Sequence, residues 1–167
     1  MAPVPTTLRV LTVATLLSGL AAGGALAQGK VLKTVPEGDL KVLDPIVTTA
    51  SISQAHALSV FDTLFALDEK YRPQPQMVDT WTVSPDGLVY RFTLRAGLKF
   101  HDGRPVTTAD VIQSITRWAA RDSNGTILRG LGMQLAAVDD RSFTLTLKEP
   151  WGLVLDSLAK EIGRAHV

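Results

Sequence analysis

A histidine and an aspartate stand side by side at His101 and Asp102, and they are the residues of this chain that most suggest chemistry. Such a pair can supply a general base with its orienting carboxylate, or two ligands of a metal ion. Adjacent residues at the end of a strand point to opposite faces, so the aspartate cannot reach the far nitrogen of its neighbour's imidazole. Further metal ligands would have to come from His56 and scattered acids, because the chain has no HExxH or similar motif.

The sequence patterns on either side of this pair predict a structural corner instead of a catalytic or metal site. A strand ends at Phe100, Asp102-Gly103 is a turn dipeptide, and Thr107 followed three residues later by Asp110 is a helix-capping pattern. We therefore expect the aspartate to bond the backbone of its own turn, and we predict no catalytic residue, no metal site and no cofactor. A small exported metal-dependent hydrolase that uses the pair is the alternative function.

Composition places the chain among ordinary soluble globular proteins. It has 167 residues, of which 46% are hydrophobic and 20% charged. The formal net charge is +1, and the sequence contains no run or stripe of basic residues that would suit a phosphate backbone, so nucleic acid is not an expected partner. Cysteine is absent, which excludes disulfides, thiolate nucleophiles and cysteine zinc sites.

Both ends of the sequence predict processing or interruption. Residues 1–27 have one positive charge, an apolar stretch and the small-x-small pattern Ala25-Leu26-Ala27, as in a cleavable signal peptide, so we expect export to the periplasm. The final heptapeptide, "EIGRAHV" at 161–167, matches one reading frame of a widely used sequencing-library adapter. We interpret it as adapter read-through. Residues 28–160 are then the N-terminal part of a longer protein.

The first half of the mature region predicts one strand and one helix. The strand runs from Lys30 to Val35. A capping box from Ser51 to Gln54 indicates a helix start, and the apolar spacing extends that helix to about Leu67. The predicted buried face of the helix comprises Ala55, Leu58, Phe61 and Phe65.

The second half predicts two β-hairpins with helices around them. The hairpins turn at Ser84-Pro85-Asp86-Gly87 and at Asp139-Asp140, and strict alternation follows each turn. Their predicted core-facing residues are Leu88, Tyr90, Phe92 and Leu94 in the first hairpin and Phe143, Leu145 and Leu147 in the second. An amphipathic helix follows Thr107, with Val111, Ile112, Ile115, Trp118 and Ala119 on its apolar face. Residues 120–132 contain three glycines and predict a mobile surface loop, and residues 151–160 begin another amphipathic element.

Three segments together resemble the N-terminal part of the family 5 extracytoplasmic solute-binding proteins, the dipeptide, oligopeptide and nickel receptors of ABC importers. These segments are "VFDTLFALDEKYRPQPQMVDTW", "SPDGLVYRFTLRAGLKFHDGRPVTTADVIQSITRW" and "VDDRSFTLTLKEP". The resemblance extends from about Lys30 to Lys160. Thr108 departs from the family, which often has alanine there, but a helix N-terminus tolerates threonine.

The resemblance implies an α/β fold, the two-lobed clamp of periplasmic binding proteins with an extra subdomain, of which only the start of the first lobe is present. It also implies capture of a peptide or similar small solute, such as a nickel chelate, an opine or a sugar, and delivery to ABC permease subunits in the membrane. The full-length receptor is expected to be a monomer and not an enzyme. Most ligand contacts would lie beyond Lys160. Within the chain, Thr48, Thr49 and Ser51 are the ligand-binding candidates, and a plain turn and helix cap is the alternative role for them.

Overall fold

The computed structural model describes Lys33 and residues 35–159. The predicted signal peptide, the heptapeptide at 161–167 and most of the strand predicted from Lys30 to Val35 lie outside the described residues. Within the described part, the chain combines helices and strands, as the α/β prediction requires.

The helices and strands alternate irregularly along the chain. In order, they are α1 (Ser51–Val60), β1 (Phe65–Leu67), β2 (Pro73–Pro75), β3 (Val78–Val83), β4 (Val89–Leu94), α2 (Thr108–Ala119), α3 (Ser123–Gly130), β5 (Gln134–Ala137), β6 (Ser142–Thr146) and α4 (Val154–Ala159). β1 and β2 form a two-stranded sheet, and the other strands form a four-stranded sheet in the order β3-β4-β6-β5. Every pair of neighbouring strands is antiparallel.

The first predicted hairpin is confirmed, including its turn. Val83 pairs with Tyr90 across β3 and β4, and the Gly87 amide donates to the Ser84 carbonyl over 2.8 Å. Gly87 has a φ of 71°, a left-handed conformation that glycine adopts without steric cost. The Asp86 carboxylate accepts from the Leu88 amide at 3.1 Å, so local bonds close the turn.

The alternation along β4 places aromatic side chains in the core, as predicted. Tyr90, Phe92 and Leu94 are buried, whereas Arg91 is exposed. The Phe92 ring centroid lies 5.1 Å from that of Phe143 on β6, which joins the two hairpins through their side chains. Full burial of one such side chain contributes about 1.5–3 kcal/mol. The aromatics are therefore structural.

Helix α1 is shorter than predicted and buries a different face. It ends at Val60, and Phe65 belongs to β1 instead of the helix. Leu58, a predicted core residue, is 64% exposed, while Ala57 is fully buried. The predicted face was wrong because the apolar spacing continued into residues that the tertiary structure draws into a strand.

The bonds of Thr63 explain why the helix cannot continue. Its backbone amide donates to Gln76 Oε1 at 3.1 Å, and its hydroxyl donates to the same oxygen at 2.7 Å. Gln76 lies just beyond β2, so this contact places Thr63 beside the two-stranded sheet. An amide committed to a side chain 13 residues away cannot take part in an i to i−4 helical bond.

The segment predicted as a mobile loop at 120–132 contains helix α3, so that prediction was wrong. Asp122 is its N-cap, and the carboxylate accepts from the amides of Asn124 at 2.8 Å and Gly125 at 3.3 Å. A Cβ atom on Gly125 would lie 2.4 Å from the Cα of Ala119. The glycine therefore permits close packing of α3 on the end of α2, and it does not mark a loop.

Helix α2 is confirmed at both its start and its buried face. Asp110 Oδ2 accepts from the Thr107 amide at 2.9 Å and from the Thr107 hydroxyl at 2.7 Å. Four of the five predicted face residues are buried and Ile112 packs partly buried against them. Helix α4 also follows its prediction, because Leu158 is buried and Leu155 packs on the core.

Candidate functional site

The histidine and aspartate at 101 and 102 lie at a tight corner between β4 and α2. The Gly103 amide donates to the Phe100 carbonyl over 2.8 Å, and Gly103 has a φ of 85°. Asp102 Oδ1 accepts from the Arg104 amide at 3.0 Å, and Oδ2 accepts from Arg104 Nε at 2.8 Å. The predicted bond of the aspartate to its own turn is confirmed. The predicted strand end at Phe100 is wrong, because β4 ends at Leu94 and only an isolated bridge joins Lys99 to Pro105 beyond it.

The electrostatics of the corner are those of a structural ion pair. The side-chain hydrogen bond from Arg104, followed by the bond from the Arg104 backbone, lowers the pKa of Asp102 below its ordinary value. The Arg104 guanidinium also lies over the Phe100 ring, 5.0 Å from its centroid. Both oxygens of the carboxylate are engaged by the arginine, so Asp102 does not orient the exposed His101 as a general base.

A hydrolytic metal centre needs at least three protein ligands close together. Among the residues that the structure describes, no three histidines, cysteines or acids are grouped closely enough to hold a metal ion. Within the described residues, the hydrolase alternative therefore has neither a general base oriented by Asp102 nor a set of metal ligands.

The ligand-binding candidates lie in the segment that leads into α1, which we call the 44–51 loop; it comprises residues 44–50 and Ser51, the first residue of α1. Asp44 anchors its start: Oδ1 accepts from the Ile46 amide at 3.0 Å, and Oδ2 forms an ion pair with Arg117. Arg117 lies in the last turn of α2, where a cation interacts favourably with the helix dipole. The loop is thus tied to α2 through a residue that lies 73 positions after Asp44.

Gln54, in the first turns of α1, holds the loop from inside. Its side-chain Nε2 donates to the carbonyl of Pro45 at 3.2 Å and to the carbonyl of Thr48 at 3.0 Å. Both partners are carbonyl oxygens, so only the amide nitrogen can face them. One side chain therefore satisfies two backbone acceptors three residues apart.

The structure places Thr48 and Thr49 just before α1 and Ser51 at its first residue. Thr48 is half-buried, and its Oγ1 accepts from the Ala50 amide at 3.2 Å. Thr49 is exposed, and the exposed Ser51 donates its hydroxyl to Glu37 Oε1. Their ligand-binding role stays a prediction. The hydrogen bonds described here are also those of a plain turn with surface hydroxyl groups.

The predicted capping box at Ser51 and Gln54 was wrong. Ala50 is the N-cap of α1, and no side chain caps it. The serine hydroxyl is directed to Glu37 and the glutamine amide to the loop carbonyls, so neither side chain bonds the helix end as the motif requires. Tertiary contacts with the preceding segment took the place of the local ones.

Sequence reasoning missed the two residues that shape this loop, Gln54 and Arg117. The sequence pattern around the glutamine indicates only a capping partner, and no local pattern marks the arginine on the polar side of α2. A long-range ion pair leaves no trace in local spacing. The dipeptide Asp44-Pro45, which is typical of turns, is the local sequence signal for the loop.

No helix within residues 35–159 is both long and apolar enough to cross a bilayer. This finding concerns only the described helices.

Comparison with known proteins identifies the family. The model of the "Bacterial extracellular solute-binding proteins, family 5 Middle" matches residues 72–165. A "Probable peptide ABC transporter periplasmic-binding protein" of Sinorhizobium fredii is 47% identical over 155 residues, which cover 86% of this chain and 29% of that protein. The "Glutathione-binding protein GsiB" of Salmonella typhimurium is 35% identical and matches 86% of this chain and 28% of its own length. The chain thus spans less than a third of the curated relatives it matches.

Solved structures agree with this assignment. NikZ from Campylobacter jejuni, in complex with Ni(L-His), has a TM-score of 0.62 at 27% identity over 77% of this chain and 26% of its own. AgaA from A. tumefaciens, in complex with agropinic acid, has a TM-score of 0.62 at 26% identity over 77% of this chain and 27% of its own. The described fold is therefore a partial N-terminal segment of a periplasmic binding protein. Proteins of this family are components of transporters and not enzymes. The chain belongs to family 5 of the bacterial extracellular solute-binding proteins.

Proposed function

We propose that the whole protein is the substrate-binding component of an ABC importer. It captures a peptide or similar small solute outside the cytoplasmic membrane, in the periplasm, and delivers it to the permease subunits. The single observation that carries the proposal is the 47% identity to a peptide ABC transporter periplasmic-binding protein over 86% of the chain. A monomeric receptor is expected.

Peptides are the preferred solute class. The two curated relatives described above are named for peptide transport and for glutathione binding, and glutathione is itself a tripeptide. The structures with a nickel–histidine complex and with agropinic acid keep a nickel chelate and an opine as further candidates. A sugar is the last candidate. In this proposal the 44–51 loop contributes Thr48, Thr49 and Ser51 to one wall of the site.

The proposal includes the boundaries of the chain. Residues 1–27 are removed as a signal peptide, residues 28–160 form the N-terminal part of the solute-binding domain, and residues 161–167 are foreign to the native protein. An independent long read of the source DNA across codon 161 tests this. We expect the reading frame to depart from "EIGRAHV" and to continue for several hundred codons. A genuine stop after Val167 would contradict the proposal.

Ligand binding by the encoded full-length protein tests the function itself. Isothermal titration with glutathione, dipeptides and tripeptides should give saturable binding of one ligand per chain. Mass spectrometry of the same samples should recover the ligand intact. Peptide hydrolysis that disappears on chelation, or on His101→Ala without loss of folding, would favour the metal-dependent hydrolase and overturn the receptor proposal.

A further inference from the structure

The 44–51 loop is held by its own hydrogen bonds and by bonds from two helices outside it. Gln54 of α1 binds the carbonyls of Pro45 and Thr48, and Arg117 of α2 pairs with Asp44. A loop held by two helices is already ordered before any ligand arrives. Ordering a loop on binding costs free energy and weakens affinity, so a loop that is already ordered gives tighter binding.

The two supports act on different parts of the loop. Arg117 is 48% exposed and its ion pair with Asp44 is half-open to water, so it is screened and contributes little. Gln54 is half-buried, and its two bonds lie between α1 and the loop where water competes less. Its contacts also span Ile46 and Val47, which lie between the two carbonyls it binds.

We infer that Gln54 is a positioning residue, which holds the backbone from Pro45 to Thr48 in the conformation that receives the solute. This rests on the proposed function, because it assigns the loop to the solute site. The side chain touches no solute in this assignment. It acts through the loop carbonyls, which fix where the hydroxyls of Thr48 and Thr49 lie.

The first variant is Gln54→Glu in the full-length protein. It keeps the length of the side chain, and an acid in the first turns of a helix is favourable, so α1 is retained. It removes both amide donors and places a carboxylate against two carbonyl oxygens. Gln54→Met is the second variant, since it removes the donors without adding charge. Gln134→Glu, at an exposed position of β5, is the matched control.

Two readouts separate positioning from plain stability. Amide hydrogen exchange is measured at Ile46, Val47 and Ala50, all of which donate hydrogen bonds within the loop, and at Leu94 in β4, whose amide donates to the Arg141 carbonyl just before β6. The dissociation constant is measured with glutathione and with the tightest peptide found for the unmodified protein. We expect both Gln54 variants to speed loop exchange and weaken binding about tenfold, with exchange at Leu94 unchanged, because two hydrogen bonds contribute about that much.

The outcomes distinguish this inference from the proposed function. If the unmodified protein binds none of the candidate solutes, tested as peptides, the nickel–histidine complex, agropinic acid and a sugar, the proposed function fails and the inference fails with it. If it binds one of them, but the Gln54 variants match Gln134→Glu in affinity, only the inference is overturned. Unchanged loop exchange in both variants also overturns it. Equal acceleration at Leu94 and in the loop would show general loosening of the fold and would likewise contradict a positioning role.

Discussion

The corner at residues 99–105 and the 44–51 loop are both turns organised by an aspartate that pairs with an arginine. In the corner, Asp102 and Arg104 are two residues apart, and the turn needs no other part of the chain. In the loop, Asp44 pairs with Arg117, which is 73 residues away on α2. The same chemistry therefore produces a self-contained scaffold in one place and, in the other, a loop that depends on packing elsewhere.

The hairpin of β1 and β2 adds a second self-contained turn to the comparison. Asp68 accepts from the amides of Lys70 at 2.8 Å and Arg72 at 2.9 Å, and its carboxylate also pairs with the Arg72 side chain. All of these partners lie within four residues. Perturbing distant packing should therefore disturb the 44–51 loop and leave the turns of Asp68 and Asp102 intact.

The largest expected effect comes from Gly125→Ala, which crowds the packing of α3 on α2. The new Cβ would lie 2.4 Å from the Cα of Ala119, a backbone atom that cannot yield without moving the helix. We expect a loss of about 2 kcal/mol in the free energy of unfolding, as for overpacking of a tight core, measured by urea denaturation. Hydrogen exchange should also rise in the 44–51 loop more than at Gly103.

Gly130→Ala is the matched control, since a Cβ there meets nothing within 4 Å. It replaces a glycine of the same helix and should leave stability unchanged or slightly raised. If both variants lost equal stability, the close approach at Ala119 would not be the cause.

A smaller effect, of opposite sign, is expected from Tyr71→Gly in the turn that Asp68 organises. Tyr71 has a φ of 56° and is 80% exposed, so its left-handed backbone is strained without any gain from burial. Glycine removes the strain at some cost in chain entropy, for a net gain of about 0.5–1 kcal/mol. Thermal melts should show a higher midpoint for Tyr71→Gly and an unchanged midpoint for Tyr71→Phe.

The ion pair of Asp44 should contribute less than either backbone effect. Asp44→Asn keeps an oxygen for the Ile46 amide but removes the charge that pairs with Arg117. Because both side chains are partly exposed, we expect a loss of about 0.5 kcal/mol, which disappears at high salt. Denaturation of the variant at low and high salt measures it. A loss that persists at high salt would mean that the charge itself is not responsible.

The smallest prediction concerns the acid titration of Asp68. The backbone hydrogen bond from Arg72, with further bonds from the Arg72 side chain and Lys70, lowers the pKa of Asp68 to about 2 from its ordinary 3.8. A depressed pKa contributes stability that is present above about pH 4 and is lost as the pH falls towards 2. NMR titration of the carboxyl carbon should give a midpoint near 2, and Arg72→Ala should raise it. A midpoint near 4 in the unmodified protein would show that the turn does not hold the carboxylate.

Most of the regular structure from Val78 onward could be predicted from local patterns. Proline, aspartate and glycine specify the turn at residues 84–87, and period-two alternation along β4 specifies which side chains enter the core. The capping pair of Thr107 and Asp110 and the apolar face of α2 were equally readable. In each case the signal, a turn motif, a capping pair or a regular spacing of apolar residues, lies within a few residues of the chain, so the order of residue types records it.

The errors lie where distant residues compete with local ones. The apolar spacing after Ser51 favours a long helix, but Gln76 draws Thr63 to a sheet and ends α1 at Val60. The glycine in α3 favours a loop when only local patterns are considered. In the structure it permits a close approach of α3 to Ala119, which depends on how the two helices pack. Local propensity is a weak preference that a few tertiary contacts outweigh.

The sequence by itself determined the structural corner at His101 and Asp102 and the resemblance to the scaffold of solute-binding proteins. The corner could be predicted because its turn is held by bonds between near neighbours. Only the tertiary structure decided the shape of the 44–51 loop. Its supports, Gln54 and Arg117, meet their partners only in the folded chain, and local spacing of residue types does not show which of these side chains will meet. Bonds between near neighbours form wherever the motif occurs, whereas bonds between distant residues depend on the completed fold.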